Sequence, residues 1–408
     1  MSWRYRVPGR VELVGKHTDY AGGPSLTCAT PFHMHASATP TAARVLCVHD
    51  QRSKLTMQVP LTPDAAPVAA RSSVYLAAVA RRIARDFPSA QSGVEVNLGS
   101  TIPTSMGMSS SSAFVVALAM AVFDANALWE ADAWRPLQGD ELAFAQYCAA
   151  MESGAPWGPF AGDTGVGTRG GAQDHIAICA SHEGTVGEYA YLPGRVVQRV
   201  SWPAEWCIVV ATSGVKATKT GNAMHAYNRV ADSVRALVSA WNADTGRAET
   251  TLAAVLASSP DAMKHLTELA PRASSEEVSV SYLVNRVAQY AEETSVIVPG
   301  MIEAIAHCDA DTAGRLMARS QRMAEEALQN QVPQTTWLAA HARDHGAVGA
   351  TAFGAGFGGA VWALVAADLA ERFAGEWMAA YAAIPGAGHV HHDARVLMPA
   401  AGASRKAG

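Results

Sequence analysis

The sequence predicts an α+β fold of two lobes, because strand patterns dominate the first half of the chain and helical patterns the second. At 408 residues the chain exceeds the size of one typical hydrophobic core, which favours two domains. Trp202-Pro203 marks the predicted boundary. The predicted domains are therefore residues 1–203 and 204–408.

The first lobe is predicted to be rich in strands. Alternating or β-branched residues favour strands over five stretches: 3–14, 25–38, 43–48, 54–59 and 93–98. Two shorter apolar runs, 176–179 and 186–191, also favour strands. Helical spacing predicts helices over 74–86, 111–128 and 140–152.

The second lobe is predicted to be mainly helical. Its expected elements are a strand at 206–211, helices as far as Gly346, strands at 348–353 and 360–365, a helix at 366–383 and a strand at 389–398. Pro271, Pro299 and Pro333 should separate individual helices, because proline interrupts helical hydrogen bonding. The tail after residue 398 is expected to fray.

Composition excludes several classes of function. A net charge of −5 without a lysine or arginine block argues against a surface for nucleic acid or anionic membranes. The longest apolar run, 113–123, is too short to span a bilayer. The six cysteines contain no C-x-x-C pair, and the N-terminus has no apolar signal segment. We therefore expect a cytoplasmic protein with reduced thiols.

The stretch Pro103–Ala113, PTSMGMSSSSA, is predicted to be a loop that opens directly into a helix. Gly107 permits backbone angles that other residues avoid. The serines that follow place hydroxyls and free N–H groups at the helix N-terminus, where anions such as phosphate bind. An ordinary serine-capped helix would have the same pattern, so this stretch alone does not fix a function.

A second polar stretch, Gly9–Tyr20, has the sequence GRVELVGKHTDY. Arg10, His17 and Asp19 together offer hydrogen-bond donors and acceptors, which suits a ligand with many hydroxyl groups. A polar turn that bonds only its own backbone is the alternative. A third stretch, Gly349–Gly359, holds five glycines between two predicted strands, so its backbone is expected to approach a ligand or another loop closely.

These three stretches, in this order, resemble the motifs of the GHMP small-molecule kinases. The first is similar to the galactokinase pattern G-R-x-N-L-I-G-E/D-H-x-D-Y. The serine loop is similar to the phosphate loop P-x-G-x-G-L-S-S-S-A, and the glycine-rich stretch to G-A-x-x-x-G-G-G-F-G-G. The resemblance implies a ribosomal protein S5 domain 2-like N-terminal lobe and a ferredoxin-like C-terminal lobe, with ATP and a sugar in the cleft between them.

The resemblance also implies roles for individual residues. Asp174, in the context GAQDH, would be the catalytic aspartate, assisted by Arg10. Glu152 and Ser111 would hold Mg²⁺, with Ser110 as the alternative serine. The expected sugar contacts are Arg10, Lys16, His17, Asp19, Gly171, Asp174 and Tyr227. The expected ATP contacts are Pro103, Gly107, Met108, Ser109, Ser110, Ser111, Ser112 and Ala113.

The implied activity is transfer of the ATP γ-phosphate to the anomeric hydroxyl of galactose, and the expected partners are a sugar and ATP. The protein is expected to be a monomer or a weak homodimer. A ligand-binding regulator without turnover is a second possibility within the same branch. Asp174, Glu152 and Arg10 occur together here, which favours catalysis.

Two residues depart from the galactokinase pattern. Glu12 replaces the usual Asn, and Lys16 replaces an acid that accepts a hydrogen bond from the C6 hydroxyl of the sugar. An ammonium group cannot accept that bond. If Lys16 faces the ligand, a uronic acid such as galacturonate is the expected substrate; if it turns outward to pair with Glu12 or another acid, galactose is.

Overall fold

The computed structural model describes residues 2–68, 70, 72–104, 106–215, 222–384 and 393–408. Within these residues the chain forms two β-sheets with helices packed around and between them. The predicted α+β class is therefore confirmed.

The strands are β1 Trp3–Val14, β2 Ser25–Thr41, β3 Val45–Asp50, β4 Leu55–Pro60, β5 Gly93–Ser100, β6 Thr185–Ala190, β7 Arg195–Ser201, β8 Trp206–Thr212, β9 Gly349–Phe353, β10 Ala360–Ala366, β11 Ala394–Leu397 and β12 Ser404–Ala407.

The helices are α1 Ser73–Asp86, α2 Ser110–Ala125, α3 Ala143–Ser153, α4 Gln173–Ala180, α5 Asn222–Thr245, α6 Leu252–Ala257, α7 Ala262–Ala273, α8 Val280–Glu292, α9 Val298–Ala306, α10 Ala310–Met323, α11 Pro333–His341 and α12 Ala370–Ala382. Two π-helical turns, Glu293–Ile297 and Ala324–Leu328, follow α8 and α10.

The first sheet has the strand order β12-β1-β2-β5-β3-β4, and β6 and β7 extend it from β2. Its pairs are antiparallel except for β3 and β5. The pairing of β1 with β2 shifts register between Pro8 and Arg10, so Gly9 lies at an irregularity of the strand. Such irregularities redirect the side chain that follows, which here is Arg10.

Helix α2 is the centre of the first lobe. Its residues from Ser112 to Phe123 are all buried, so the whole circumference of the helix packs against other elements. Because the helix body is fixed in the core, its N-terminal serines have a fixed position at the edge of that core.

The second sheet has the order β11-β8-β10-β9, and both of its faces are covered. Ile208 and Val210 on β8 belong to the core that also contains the first sheet and α2. Val209 and Ala211 face a second core that contains Trp377. Alternate residues of one strand thus join the two lobes, as the period of two in a β-strand requires.

Strand β7 of the first sheet ends at Ser201, and strand β8 of the second sheet begins at Trp206, so the chain passes from one sheet to the other near the predicted boundary. Strand β12, near the end of the chain, nevertheless pairs with β1 in the first sheet. The division at residue 203 stays a prediction. No helix among the described ranges is both long and apolar enough to cross a membrane.

Three predictions of individual elements were wrong. Residues 176–179 lie in helix α4, the tail forms strand β12, and Pro271 lies inside α7 without ending it. In addition, strand β7 was not predicted. A four-residue apolar run fits a strand or a buried helix equally well, which explains the first error. The predicted strand at 389–398 begins in residues 389–392, which lie outside the described residues.

Candidate active site

Two cavities adjoin each other between the lobes. The first, of about 50 Å³, is lined mainly by polar side chains, including Glu12, His17, Asp19, Glu152, Asp174 and Tyr227. The second, of about 210 Å³, is lined by the serine loop, Tyr75 and the glycine-rich stretch. Arg10 and Ala355 line both cavities. The three motifs of the sequence therefore meet at one place.

Arg10 and Asp174 form a close ion pair in the wall between the cavities. Arg10 Nε and Nη2 each lie 2.6 Å from Asp174 Oδ1, and Arg10 Nη1 donates to the Gly107 carbonyl at 2.7 Å. The Arg10 side chain is almost fully buried. Its planar guanidinium thus fixes the distance between the carboxylate and the serine loop.

The serine loop binds the same carboxylate from the other side. Ser109 caps α2 in a left-handed conformation, with φ of 55°, and its hydroxyl donates to Asp174 Oδ2 at 2.6 Å. Such a backbone conformation is uncommon outside glycine and costs about 1 kcal/mol or more. The contact with Asp174 helps to hold it.

Of the predicted ATP contacts, six line the second cavity: Pro103, Gly107, Met108, Ser109, Ser110 and Ser111. Ser112 lines the first cavity instead. Ala113 is fully buried in the core, so its prediction as an ATP contact is corrected. It lies one turn inside α2, where side chains face the protein interior.

Ser112 lies next to Glu152, the predicted metal ligand on α3. The Ser112 hydroxyl donates to Glu152 Oε2 at 3.0 Å and lies 3.4 Å from Asp174 Oδ2. His175 Nε2 is 3.2 Å from the same Glu152 oxygen. The sequence predicted Ser111 as the partner of Glu152, but the structure places Ser112 there.

The residues around Ser112 fit a magnesium ion. Mg²⁺ prefers hard oxygen ligands and is commonly held by one or two carboxylates together with substrate phosphates. Glu152 and Asp174 provide carboxylate oxygens on either side of one hydroxyl. Within the described residues no group of three or more His, Cys, Asp or Glu is placed to hold a metal.

Three predicted sugar contacts, His17, Asp19 and Tyr227, line the first cavity. His17 and Tyr227 have ring centroids 5.9 Å apart, and Asp19 lies beside them in the cavity wall. Burial, with a smaller contribution from the nearby Arg286 guanidinium, lowers the pKa of His17 to about 3. His17 is therefore neutral at physiological pH, and can accept as well as donate a hydrogen bond.

Gly171 is required beside Asp19. A Cβ atom at position 171 would lie 2.3 Å from Asp19 Oδ2, far inside any normal contact. The backbone N–H of Gln173 donates to the same oxygen at 3.3 Å. The absence of a side chain at 171 thus lets the turn before α4 close onto the Asp19 carboxylate.

Lys16 does not line the first cavity, which corrects its prediction as a sugar contact. Its side chain is buried, and its ammonium group donates to Ser320 Oγ and, at 2.7 Å, to Thr351 Oγ1. Lys16 thus points away from the sugar cavity, as the second alternative expected, but it turns into the protein interior and not outward to solvent.

Glu12, which departs from the galactokinase pattern, also lines the first cavity, although no role was predicted for it. Its side chain is buried. Burial raises the pKa of Glu12 to about 7, against the opposing effects of Lys16 and Arg10. No role was predicted for Glu12 or His175, and Ser112 was predicted as an ATP contact and not as the neighbour of Glu152. The departure of Glu12 from the galactokinase pattern was the signal that could have drawn attention to it.

Three family models match the chain. The galactokinase galactose-binding signature matches residues 2–40, the GHMP kinase N-terminal domain residues 74–179 and the GHMP kinase C-terminal domain residues 301–383. The matched ranges include all three motifs, and together they cover more than half of the chain.

Several proteins named as galactokinases are similar to this chain. A galactokinase of Streptomyces coelicolor is 32% identical over 158 residues, which is 38% of each chain. A galactokinase of Haemophilus influenzae is 30% identical over 28% of this chain and 29% of its own length. Both matches thus span well under half of those relatives. A Chloroflexus aurantiacus galactokinase is 26% identical over 92% of this chain and 87% of its own.

The fold is also that of known structures. Lactococcus lactis galactokinase, solved in complex with galactose, superposes with a TM-score of 0.79 at 18% identity, covering 99% of this chain and 95% of that one. A mevalonate kinase superposes with a TM-score of 0.57 at 14% identity, covering 97% and 99%. Since the family models, the relatives and the fold agree, the chain belongs to the GHMP kinase superfamily, in its galactokinase-like branch.

Proposed function

We propose that this protein is an ATP-dependent sugar 1-kinase that phosphorylates the anomeric hydroxyl of galactose. The observation that carries the proposal is the position of Asp174. Its carboxylate lines the polar first cavity, which suits a sugar, and bonds to Arg10 and Ser109, both of which line the second cavity.

In this proposal the second cavity binds ATP. The N-terminus of α2 presents free backbone N–H groups and partial positive charge, which favour the phosphates. Ser109, Ser110 and Ser111 line the cavity at that point. The predicted contacts of Pro103, Gly107 and Met108 with ATP remain part of the proposal.

The attacking hydroxyl would lie in the first cavity next to Asp174. The carboxylate accepts or orients the hydroxyl proton, and the oxygen attacks the γ-phosphorus as the bond to ADP breaks. Arg10 keeps the carboxylate in place and offsets negative charge on the phosphoryl group. Positioning contributes more to the rate than the basicity of Asp174, since phosphoryl transfer needs little help from a strong base.

Glu152 and Ser112 would hold Mg²⁺, with Asp174 close by. When bound, the ion supplies neutralisation of the charge on the ATP phosphates. The predicted ligand Ser111 lies in the wall of the adjacent cavity and remains the alternative.

Recognition of the sugar would come from His17, Asp19 and Tyr227. A neutral imidazole, a carboxylate and a phenol offer both donors and acceptors, as ring hydroxyls require. The position of Lys16 removes the basis for a uronic acid as the preferred substrate, because no ammonium group from position 16 lines the sugar cavity.

The test is ADP release with Mg·ATP and a panel of galactose, galacturonate, glucuronate, arabinose and N-acetylhexosamines. The proposal predicts the highest kcat/KM with galactose. Sugar and ATP binding without ADP release would instead identify a non-catalytic regulator. ADP release with galacturonate and with no other sugar of the panel would show that a cation outside the described residues, or a rearranged Lys16, binds the C6 carboxylate.

A further inference from the structure

The turn that carries His17 and Asp19 has an unfavourable backbone. Gly15 has φ of 93° and His17 has φ of 55°. For a residue with a side chain, a left-handed conformation costs about 1–2 kcal/mol. Such a conformation persists only where its surroundings determine it strongly, so contacts outside the turn must help to fix it.

Those contacts come from one face of a distant helix. Glu293 Oε2 accepts the N–H of Gly15 at 2.9 Å. Gln289 Nε2 donates to the carbonyl of Lys16 at 3.0 Å. Arg286 Nη2 donates to the carbonyl of His17 at 2.5 Å. Three successive residues of the turn are thus each bonded by a different side chain.

The three side chains are spaced to act together. Positions 286, 289 and 293 are three and four residues apart, which places them on one face of a helix. All three side chains are fully buried, and Arg286 also donates to the Gln289 amide oxygen. Glu293 begins the π-helical turn after α8, and such turns occur frequently at functional positions.

Lys16 supplies the charge that this face needs. Its ammonium group donates to Ser320 Oγ, and the Ser320 hydroxyl donates to Glu293 Oε1 at 2.6 Å. Lys16 is only 2% exposed. A buried carboxylate without a cation nearby would be strongly destabilising. The lysine that departs from the galactokinase pattern is therefore the counter-ion of Glu293.

We propose that Arg286, Gln289 and Glu293, with Lys16 as counter-ion, are positioning residues of the sugar site. They hold the turn of residues 15–17 in the conformation that directs His17 and Asp19 into the first cavity. None of the four is placed against the reacting atoms. The effect on the sugar rests on the proposed function, whereas the effect on the turn does not.

The test compares Glu293→Gln, Lys16→Met and the double variant. In Glu293→Gln the amide has one acceptor oxygen for two donors, Gly15 N–H and Ser320 O–H, and Lys16 loses its counter-charge. In Lys16→Met the carboxylate is left unpaired. In the double variant both charges are gone, and the Ser320 hydroxyl can accept from the introduced amide, so much of the defect should be repaired.

Asp86→Asn is the matched control. Asp86 pairs with the buried Arg82 at 2.6 Å in the first lobe, and neither residue lines the two cavities. This variant should lower the unfolding temperature without changing the turn. It therefore measures what loss of a buried ion pair does by itself.

Two readouts separate positioning from mere stability. The first is hydrogen–deuterium exchange of the peptide that spans residues 13–22. The second is the KM for galactose relative to the KM for ATP. Each single variant should lose about tenfold or more in protection of this peptide and raise the galactose KM about tenfold, with the ATP KM within about twofold. In the double variant both the protection of this peptide and the galactose KM should return toward the wild-type values, by more than half of the change on a logarithmic scale.

The proposal is overturned if the single variants lower the unfolding temperature as Asp86→Asn does but leave both peptide exchange and the ratio of KM values unchanged. If either charge variant fails to fold, Gln289→Met removes the donor to the Lys16 carbonyl and the acceptor for Arg286 without changing a charge, and gives the same two readouts. If the wild-type protein phosphorylates no sugar, but the single variants still lose protection in the peptide of residues 13–22, the proposed function is refuted and the inference about the turn stands.

Discussion

Arg10 and Asp174 meet across 164 positions of the chain at a distance of 2.6 Å, with Ser109 bonded to the other carboxylate oxygen. Strand β1, the serine loop and helix α4 therefore converge on one carboxylate. Val11, Met108 and Ile178 anchor these three elements in one shared core, so the packed interior sets the geometry of the carboxylate. Pre-organisation of this kind is what a positioning mechanism requires.

Asp174→Asn tests the role of this carboxylate. The substitution keeps the shape but removes the proton acceptor, so kcat should fall by about 10²–10⁴-fold, while ATP and sugar affinities change little. Steady-state kinetics and calorimetric binding measure the two effects separately. Retention of more than about a tenth of kcat would show that Asp174 is not the base.

Ser112→Ala and Ser111→Ala test which serine belongs to the magnesium site. Because Ser112 contacts Glu152, its loss should raise the Mg²⁺ concentration needed for half-maximal activity more than the loss of Ser111 does. Glu152→Gln should raise it further, since a neutral oxygen replaces an anionic ligand. The measurement is a Mg²⁺ titration at fixed ATP. A larger effect from Ser111→Ala would restore Ser111 as the ligand.

Gly171→Ala should weaken sugar binding, because the new Cβ would lie 2.3 Å from Asp19 Oδ2. We expect the galactose KM to rise about tenfold or more, by more than the ATP KM. Gly375→Ala is the control, since a Cβ at that position of α12 meets nothing within 4 Å. Equal KM values for galactose in Gly171→Ala and wild type would mean that Asp19 does not contact the sugar.

Glu12→Gln should change how stability depends on pH. The pKa of Glu12 is about 7 in the folded protein and 4.5 for an ordinary glutamate. The folded state thus binds the proton more tightly, so this group lowers stability as pH rises from about 4.5 to about 7. The variant should gain stability over wild type at pH 8, on the order of 3 kcal/mol at most, and little at pH 4.

Denaturant titrations at pH 4, 6 and 8 measure this difference. Glu303→Gln, at a carboxylate whose side chain is 74% exposed, is the control and should show the same pH dependence as wild type. A Glu12→Gln variant whose stability follows the wild-type curve at all three pH values would show that Glu12 does not carry the raised pKa.

The sequence predicted the long elements, since extended alternation in β1 and the long run of apolar residues in α2 have one interpretation each. The meeting of the three motifs was expected only from the resemblance to the GHMP kinases. Which serine meets Glu152 could not be predicted, because it depends on how α2 and α3 are rotated against each other. The direction of Lys16 depends on Ser320, which lies 304 positions away along the chain. The burial and the raised pKa of Glu12 could not be predicted, because both result from how the interior packs around it.

The proposed galactose 1-kinase activity is tested most directly by the position of the transferred phosphate on the sugar. The purified protein would be incubated with Mg·ATP and galactose, and the product examined by ¹H–³¹P correlation NMR, with Asp174→Asn treated identically. A galactose 1-kinase should give a phosphorus coupled to the anomeric proton in the wild-type reaction and none in the variant reaction. Phosphate on another carbon, or no sugar phosphate at all, would show that the protein lacks this activity.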